Sequence, residues 1–310
     1  MARIYKLIEN IEGRKRFSRY NPKYIITRIF EHLIKSIKGE IVSEYMLPNG
    51  QILSLPVGHA LPFILARFPK YAENLKELAN ECGIKYHNNF SIIDIGANVG
   101  DSVLIIDKNQ AKIYCIEGDD FYYKFLELNT IKRKNVVRFN CFIGAPENNN
   151  GNYEVIRTNG SASLLLTSTV KKHSWKTLSV LTENVAPDIK LVKIDTDGFD
   201  GFIIKESIEW LEKFKPILFF EFDPLLLKIQ NFNPLEIFEL LKKCGYIKLL
   251  FYEKDGRFME DVKIIDTERL TFLTSYFDSS KNGKKNTYSD VCAFSESDND
   301  IYLKMKDKNI

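Results

Sequence analysis

The stretch that decides the fold covers residues 91–101 and reads S-I-I-D-I-G-A-N-V-G-D. Its first five residues are mostly apolar, which is typical of a buried strand. Gly96 and Gly100 follow, and glycines at a strand-to-helix turn let the backbone approach a ligand. The N-terminus of the next helix favours polar or anionic groups at the same place. The stretch therefore predicts a strand, a ligand-binding turn and a helix.

The spacing of these glycines argues against a dinucleotide. Asn98 stands where the G-x-G-x-x-G pattern needs the glycine that admits a pyrophosphate, so a ligand without phosphates fits better. Glu117, 21 residues after Gly96, ends the next apolar run, K-I-Y-C-I. An acidic residue at this place accepts hydrogen bonds from both hydroxyls of a ribose in doubly wound folds. We therefore expect Glu117 to bind a ribose.

Outward from this stretch, apolar strands alternate with amphipathic helices, which predicts an α/β chain with a mainly parallel sheet. Asp119 or Asp120 is expected to cap the helix after Glu117. A Gly/Ser-rich loop is expected at N-G-S-A-S-L-L-L-T-S-T, and hairpin turns at Asn49-Gly50 and Asp255-Gly256. Further strands are predicted at residues 135–143, 151–157, 189–195 and 216–222, and a late one, flanked by the second hairpin and able to run antiparallel, at 288–295.

A third motif, K-I-D-T-D-G-F-D at residues 193–200, ends a buried strand at the edge where α/β enzymes hold their ligands. Taken together, D-I-G-A-N-V-G-D, I-E-G-D-D and K-I-D-T-D-G-F-D resemble the FkbM family of S-adenosylmethionine-dependent methyltransferases over residues 47–224. The resemblance implies a class I methyltransferase sheet, Rossmann-like and mainly parallel with an antiparallel last strand. It also implies S-adenosylmethionine as the cofactor and an O-methyltransferase activity.

The resemblance further implies roles for individual residues. Glu117 would hold the cofactor's ribose, and Asn140, or the backbone beside Cys141, would meet its adenine; an ordinary turn residue is the alternative for Asn140. Asp195 would contact the region of the transferring methyl group or the acceptor hydroxyl. The methionine part of the cofactor would be surrounded by Asp94, Gly96, Asn98 and Gly100.

The family typically shows K-I-D-V-E-G where this chain has Thr196 and Asp197, which shortens one carboxylate by a methylene group. A hydroxyl acceptor is a poor nucleophile until its proton is accepted, so a base should help. The candidates are Asp195, Asp197, His59 in V-G-H-A-L-P, and His173, although a lone histidine is more often structural.

The carboxylates at 195, 197 and 200 raise the possibility of a hard cation such as Mg²⁺. The one further cluster is Glu221-Phe222-Asp223, and no zinc-ligand spacing occurs. We therefore expect no metal. Asp200 is expected to be the N-cap of the next helix.

Composition narrows the class of partner. The chain has 44 Lys and Arg against 41 Asp and Glu, a net charge of +3, which does not suggest a nucleic-acid binder. Ten of the basic residues and four Glu fall within residues 1–40, and this basic segment could contact an acidic partner, a lipid surface or a second copy, or simply be a solvated helical face. No apolar run approaches the roughly 18 residues of a membrane span. Five scattered cysteines favour a reducing cytoplasm.

These patterns divide the chain into an N-terminal helical and hairpin extension (1–85), a methyltransferase domain (86–300) and a polar tail (301–310). The expected acceptor is a free hydroxyl of a glycan or related small metabolite. Two other functions remain open: a non-catalytic binding or scaffold protein that keeps this fold, and an NAD(P)-dependent oxidoreductase, which Asn98 argues against.

Overall fold

The structure is a computed structural model that describes residues 41–106, 111–144, 152–158, 160–167, 173–185, 188–278 and 288–308, together with positions 29 and 33. The expected contact through the basic segment falls outside these residues. No helix in the described part of the chain is long and apolar enough to cross a membrane. All five cysteines are free and buried.

The strands, in chain order, are β1 (Val42–Met46), β2 (Ile52–Pro56), β3 (Ser91–Ile95), β4 (Lys112–Ile116), β5 (Val136–Phe139), β6 (Phe142–Ile143), β7 (Asn152–Thr158), β8 (Ser161–Thr167), β9 (Trp175–Lys176), β10 (Ile189–Ile194), β11 (Ile217–Phe222), β12 (Tyr246–Glu253), β13 (Phe258–Lys263) and β14 (Ser289–Ser295). The helices are α1 (Leu61–Arg67), α2 (Glu73–Lys85), α3 (Asp101–Ile106), α4 (Asp120–Thr130), α5 (Leu178–Thr182), α6 (Asp200–Glu206), α7 (Ile208–Phe214), α8 (Pro224–Ile229), α9 (Glu236–Lys243), α10 (Thr267–Phe277) and α11 (Asn299–Asp307).

Eight strands form the central sheet in the order β13-β12-β14-β11-β10-β3-β4-β5. β5, β4, β3, β10 and β11 are mutually parallel, and β14 lies antiparallel between β11 and β12. The predicted mainly parallel α/β sheet with an antiparallel late strand is therefore confirmed. The chain leaves β3 toward β4 and later returns to β10 on its other side, so the strand order reverses between β3 and β10. Ligands of open α/β sheets bind at such a reversal, beyond the carboxyl ends of the strands.

Both faces of the sheet are covered, which explains why β3 is buried along its whole length. Successive side chains of a strand point to opposite faces. Ile92 accordingly belongs to one hydrophobic cluster, while Ile93 and Ile95 belong to the other. The first cluster also contains Leu53 and Leu55 of the β1–β2 hairpin, so the hairpin shares the core of the sheet.

Two segments differ from the sequence-based expectations. The expected Gly/Ser loop forms β8, which pairs with β7 as an antiparallel hairpin closed at Thr158 and Ser161. Its small, polar first residues hide a strand whose Leu164 is buried. Most of the expected polar tail belongs to helix α11, which buries Ile301 and Met305, four residues apart on one face of the helix, in the first cluster.

Candidate functional site

The turn after β3 has its glycines for a reason that the sequence does not show. Gly96 has a φ of +77°, and a Cβ there would lie 1.9 Å from the carbonyl oxygen of Asp195. Gly100 has a φ of +84°, and a Cβ would lie 3.0 Å from the Leu126 side chain. The glycines thus let the turn pack against the loop after β10 and against α4. The close approach expected for a ligand is made, at Gly96, by the protein's own backbone.

Asn98 ties three segments of the chain together. It has a φ of +48°, in the left-handed region that Asn tolerates better than most residues. Its Nδ2 donates to the carbonyl of Gly160 at the tip of the β7–β8 hairpin, at 2.9 Å. Its Oδ1 lies 3.3 Å from Nε2 of His59. Asn98 therefore fixes the hairpin and the segment before α1 over the turn.

Glu117 lies at the carboxyl end of β4, buried beside the turn. Its Oε2 accepts a hydrogen bond from the backbone N–H of Asn98, and its Oε1 accepts one from the backbone N–H of Asp119, each at 2.8 Å. Burial raises the pKa of Glu117 to about 7, although both amides favour the ionised form. A carboxylate has about four lone-pair sites, so each oxygen keeps room for one more donor. Two adjacent hydroxyls of a ribose would supply two such donors.

Asn140 follows β5, and its Nδ2 donates to the Glu117 carbonyl at 3.3 Å. Asn140 does not line the cavity that opens beside Glu117, so its contact with adenine stays a prediction. Phe142 and Ile143 line the cavity instead, and sequence reasoning missed both. The sequence does contain one sign of this contact, the glycine at position 118. A Cβ there would lie 2.3 Å from the Phe142 ring, so only glycine leaves room for that ring.

A first cavity of about 550 Å³, a volume that includes its open mouth, lies beside Glu117. Half of the fourteen residues in its wall are apolar, two are glycines and five are polar or acidic. The lining comprises Ile95, Gly96, Asn98, Glu117, Gly118, Phe142, Ile143, Ala162, Leu164, Asp195, Thr196, Asp197, Phe199 and Ile203. Part of this wall is the β7–β8 hairpin, which therefore covers the site.

The motif after β10 brings its lysine and carboxylates together. Nζ of the buried Lys193 lies 3.1 Å from Oδ1 of Asp94 and 3.2 Å from Oδ2 of Asp195. Burial alone would lower the pKa of Lys193, but the negative charges of Asp195, Asp94 and Asp101 outweigh it and raise that pKa. Lys193 is therefore a fixed cation that orients two of the predicted site carboxylates.

Asp197 and Asp200 occupy the tight turn that leads into α6. Asp197 has a φ of +51°, and burial followed by the charge of Asp195 raises its pKa to about 7. The sequence predicted that Asp200 is the N-cap of α6, and this is wrong: Asp200 is the first residue of the helix, and Phe199 is the N-cap. Its Oδ2 accepts from the Thr196 hydroxyl and the Gly198 amide, which closes the turn.

A second cavity, of about 1330 Å³ including its open mouth, lies on the other side of this turn. It shares Gly96, Asn98, Asp195 and Asp197 with the first cavity, so the two meet at these four residues. Most of the residues that line the second cavity alone are polar, and three of them are acidic. They include His59, Tyr71, Asp101, Lys193, Glu221, Tyr288 and Asp290.

Both candidate histidines are hydrogen-bonded to other groups of the protein. Nδ1 of His59 accepts from the Leu61 amide at 3.2 Å, which leaves Nε2 to donate to Asn98. Burial lowers the pKa of His59 to about 4. His173 bonds through Nε2 to the Tyr153 carbonyl at 2.9 Å and lines neither cavity. Across the described ranges, no three His, Cys, Asp or Glu residues are arranged to hold a metal ion.

Comparison with known proteins gives structural neighbours at low identity. No family model and no curated protein matches the chain. A putative sarcosine dimethylglycine methyltransferase from Galdieria sulphuraria is 11% identical, with a TM-score of 0.39, over 73% of this chain and 87% of that one. M. jannaschii TYW2, solved with AdoMet, is 13% identical, with a TM-score of 0.36, over 83% and 87%. Methyltransferase FkbM from Methylobacillus flagellatus KT is 15% identical, with a TM-score of 0.31, over 47% and 38%.

Because these TM-scores are low, the fold is identified from the strand order and strand directions of the chain itself. The strands β5-β4-β3-β10-β11 run parallel, and the antiparallel β14 separates β11 from β12. The acidic residue after β4 and the glycine turn after β3 lie at the reversal of strand order. The chain has the class I methyltransferase fold, a Rossmann-like α/β sheet with an antiparallel strand near one edge.

Proposed function

We propose that this protein is an S-adenosylmethionine-dependent methyltransferase that transfers a methyl group to a hydroxyl of a glycan or related metabolite. One observation carries the proposal: two cavities of different character meet at Gly96, Asn98, Asp195 and Asp197. A group-transfer enzyme with two substrates needs such a junction, because the donor and the acceptor must be held in line at one point.

The first cavity fits the cofactor. Glu117 would bind the ribose hydroxyls through its free lone pairs, and Phe142 and Ile143 would contact the adenine. Asp94, Gly96, Asn98 and Gly100 belong to the strand end and turn that would hold the methionine part. When bound, the cofactor supplies an electrophilic methyl group on a positively charged sulfur.

The second cavity fits a polar acceptor. Its carboxylates and tyrosines can accept and donate hydrogen bonds to hydroxyl groups, which is what a sugar or polyol requires. Asp195 and Asp197 stand at the junction, where we propose that they orient the reacting hydroxyl. His59, with both ring nitrogens bonded, would act by holding Asn98 in place. We also propose a cytoplasmic location, because all five thiols are free and buried.

A nicotinamide-dependent oxidoreductase is the competing enzyme class. Glu117 would serve that cofactor's ribose equally well. Asn98, however, occupies the pyrophosphate position of the glycine turn, and its side chain is held by His59 and Gly160. The competing non-enzymatic function is a scaffold that keeps the fold and binds through its N-terminal segment.

Calorimetric titration of the full-length protein separates the three. We expect micromolar binding of S-adenosylmethionine and S-adenosylhomocysteine, and none of NADH. Binding of NADH alone would favour the oxidoreductase, and binding of none of the three would favour the scaffold. Transfer of labelled methyl groups to a panel of methyl glycosides then tests the hydroxyl acceptor, with the corresponding amino sugars as the control for transfer to nitrogen.

A further inference from the structure

Two acidic residues lie directly opposite each other in the wall of the second cavity. β11 and β14 are antiparallel, and Glu221 pairs in register with Asp290. Side chains of such a pair emerge on the same face of a sheet, and both of these line the second cavity. Like charges placed directly opposite destabilise a sheet. A pair of this kind is therefore more readily explained by chemistry in the cavity than by stability.

The two carboxylates differ in what holds them. Oδ2 of Asp290 accepts from Asn74 at 3.1 Å. At the junction, Asp195 has an ion pair with Lys193, and Asp197 accepts from Ser161. Within the described residues, the Glu221 carboxylate has no side-chain hydrogen bond or ion pair. Of the two opposed carboxylates, Glu221 is thus the one that is available to a ligand.

The surroundings of Glu221 oppose its ionisation. Burial, followed by the charges of Asp195, Asp197, Asp200 and Asp223, raises its pKa well above the ordinary value. Asp101 of α3 and Asp290 of β14 are further carboxylates of the same cavity, where burial raises the pKa of Asp101 to about 6 and that of Asp290 to about 7, and Tyr71 and Tyr288 also line it. Lys193, the cation among the described lining residues, is already engaged by Asp94 and Asp195.

We propose that Glu221 is the proton acceptor for methyl transfer in the second cavity, and that its ionisation is coupled to the positive charge of the cofactor. This inference depends on the proposed function. In the transfer, the sulfur–methyl bond breaks and an oxygen–methyl bond forms. The acceptor's hydroxyl proton passes to the Glu221 carboxylate, and the sulfonium becomes a neutral thioether.

The coupling follows from charge balance. A sulfonium bound at the junction adds a positive charge near Glu221 and favours its carboxylate form, so the base is generated as the methyl donor arrives. Once the methyl group has moved, the sulfur is neutral and a protonated Glu221 is again favoured. A general base whose pKa is raised by burial is also better matched to a weakly acidic hydroxyl.

The test counts protons and needs no acceptor. S-adenosylmethionine and S-adenosylhomocysteine are titrated into the full-length protein at neutral pH, in buffers of different ionisation enthalpy. The measured quantity is a difference between two proton counts: the protons released when S-adenosylmethionine, a sulfonium, binds, minus those released when S-adenosylhomocysteine, a thioether, binds. This difference is called the excess. We expect Glu221→Gln to remove up to about one proton of this excess, since the wild-type group is protonated before binding. Glu253→Gln on β12, which lines neither cavity, should leave it unchanged.

The outcomes separate this inference from the proposed function. If both cofactors bind and the excess is the same in wild type and Glu221→Gln, the inference is wrong while the proposed function stands. If neither cofactor binds the wild-type protein, both fail. Glu221→Asp, which keeps a carboxylate, should retain part of the excess. Should Glu221→Gln not fold, Glu221→Leu removes the same charge with a similar volume and is judged by the same criterion.

Discussion

At the scale of single residues, Gly96 shows how a local motif can have a non-local cause. A glycine in a strand-to-helix turn is usually interpreted by its own φ, and Gly96 does have a φ of +77°. Its stricter requirement comes from the Asp195 carbonyl, almost a hundred positions later in the chain. The turn that would bind the cofactor and the loop that carries Asp195 are therefore held at a fixed separation.

Gly96→Ala is expected to destabilise the protein strongly. A left-handed backbone costs an alanine about 1–2 kcal/mol, and the displacement of Asp195 adds to that cost. The matched control is Gly50→Ala, where φ is +84° but nothing lies within 4 Å of the added Cβ. Chemical denaturation should show a clearly larger loss of unfolding free energy for Gly96→Ala. Equal losses would mean that the close approach to Asp195 is unimportant.

Glu117→Ala is expected to weaken cofactor binding without unfolding the chain. A hydrogen bond to a charged group contributes about 1.5–3 kcal/mol, so the loss of one such bond predicts a decrease in affinity of roughly 10- to 150-fold. Calorimetry with S-adenosylhomocysteine measures this decrease, and circular dichroism checks the fold. Glu127→Ala, an exposed carboxylate on α4, is the control. Unchanged affinity in Glu117→Ala would remove Glu117 from the ribose site.

The pH dependence of binding should report the same residue. The pKa of Glu117 is raised to about 7, and ribose hydroxyls donate best to the ionised carboxylate. Affinity for S-adenosylhomocysteine should therefore be constant above that pKa and should fall as pH decreases through it. In Glu117→Gln this fall should be reduced. A profile that is identical in the two proteins would assign the titration to another carboxylate.

At the scale of elements, the β7–β8 hairpin covers the first cavity and is held there by side-chain contacts at two places. Arg157 of β7 forms a bidentate ion pair with Asp119, the N-cap of α4. Its Nε donates to Oδ2 of Asp119 at 2.5 Å, and its Nη2 donates to Oδ1 at 2.8 Å. The guanidinium also lies 5.1 Å from the centre of the Phe121 ring. At the other end, Gln230 donates to the carbonyl of Leu164. These contacts keep the hairpin over the first cavity.

Arg157→Ala is expected to loosen the hairpin more than it destabilises the whole molecule. The Arg157 side chain is 49% exposed, and exposed ion pairs contribute at most about 1 kcal/mol to stability. Hydrogen exchange should accelerate in residues 152–158 and 160–167, while the central strands keep their protection. Arg257→Ala, which breaks an exposed pair in the β12–β13 hairpin, should leave these residues unaffected. Unchanged exchange in Arg157→Ala would show that this contact does not hold the cover.

At the scale of the whole molecule, the last helix closes the core. α11 packs on α2, and its Met305 and Ile301 are fully buried. The Tyr302 hydroxyl donates to Asp261 of β13 at 2.8 Å. The chain's end and its N-terminal hairpin thus contribute to the same hydrophobic cluster, although they are far apart in sequence.

Met305→Ala is expected to cost about 2–5 kcal/mol of unfolding free energy, the usual range for truncating a buried Met. Leu303→Ala on the same helix should cost little, since Leu303 is 47% exposed. Thermal melting of the two variants compares them directly. Similar melting temperatures would mean that α11 does not pack against the core as described.

Local sequence patterns were sufficient to predict the α/β class, the parallel sheet and the positions of the glycine turn and Glu117. Strand periodicity, a glycine pair and a carboxylate all fall within short stretches of chain, so each can be recognised without its tertiary contacts. Parallel strands place their carboxyl ends at one edge of a sheet. The amino-acid sequence alone therefore predicts that residues 96, 117 and 195 lie close together.

Tertiary packing, in contrast, controls which groups face one another. It formed β8 from a stretch with loop-like composition, because its pairing with β7 and the burial of Leu164 outweigh local preference. It engaged both nitrogens of His59 and placed Phe142 in the first cavity. It also set Glu221 opposite Asp290, through a strand register across 69 residues of chain. Such register depends on packing between distant segments, which no local pattern encodes.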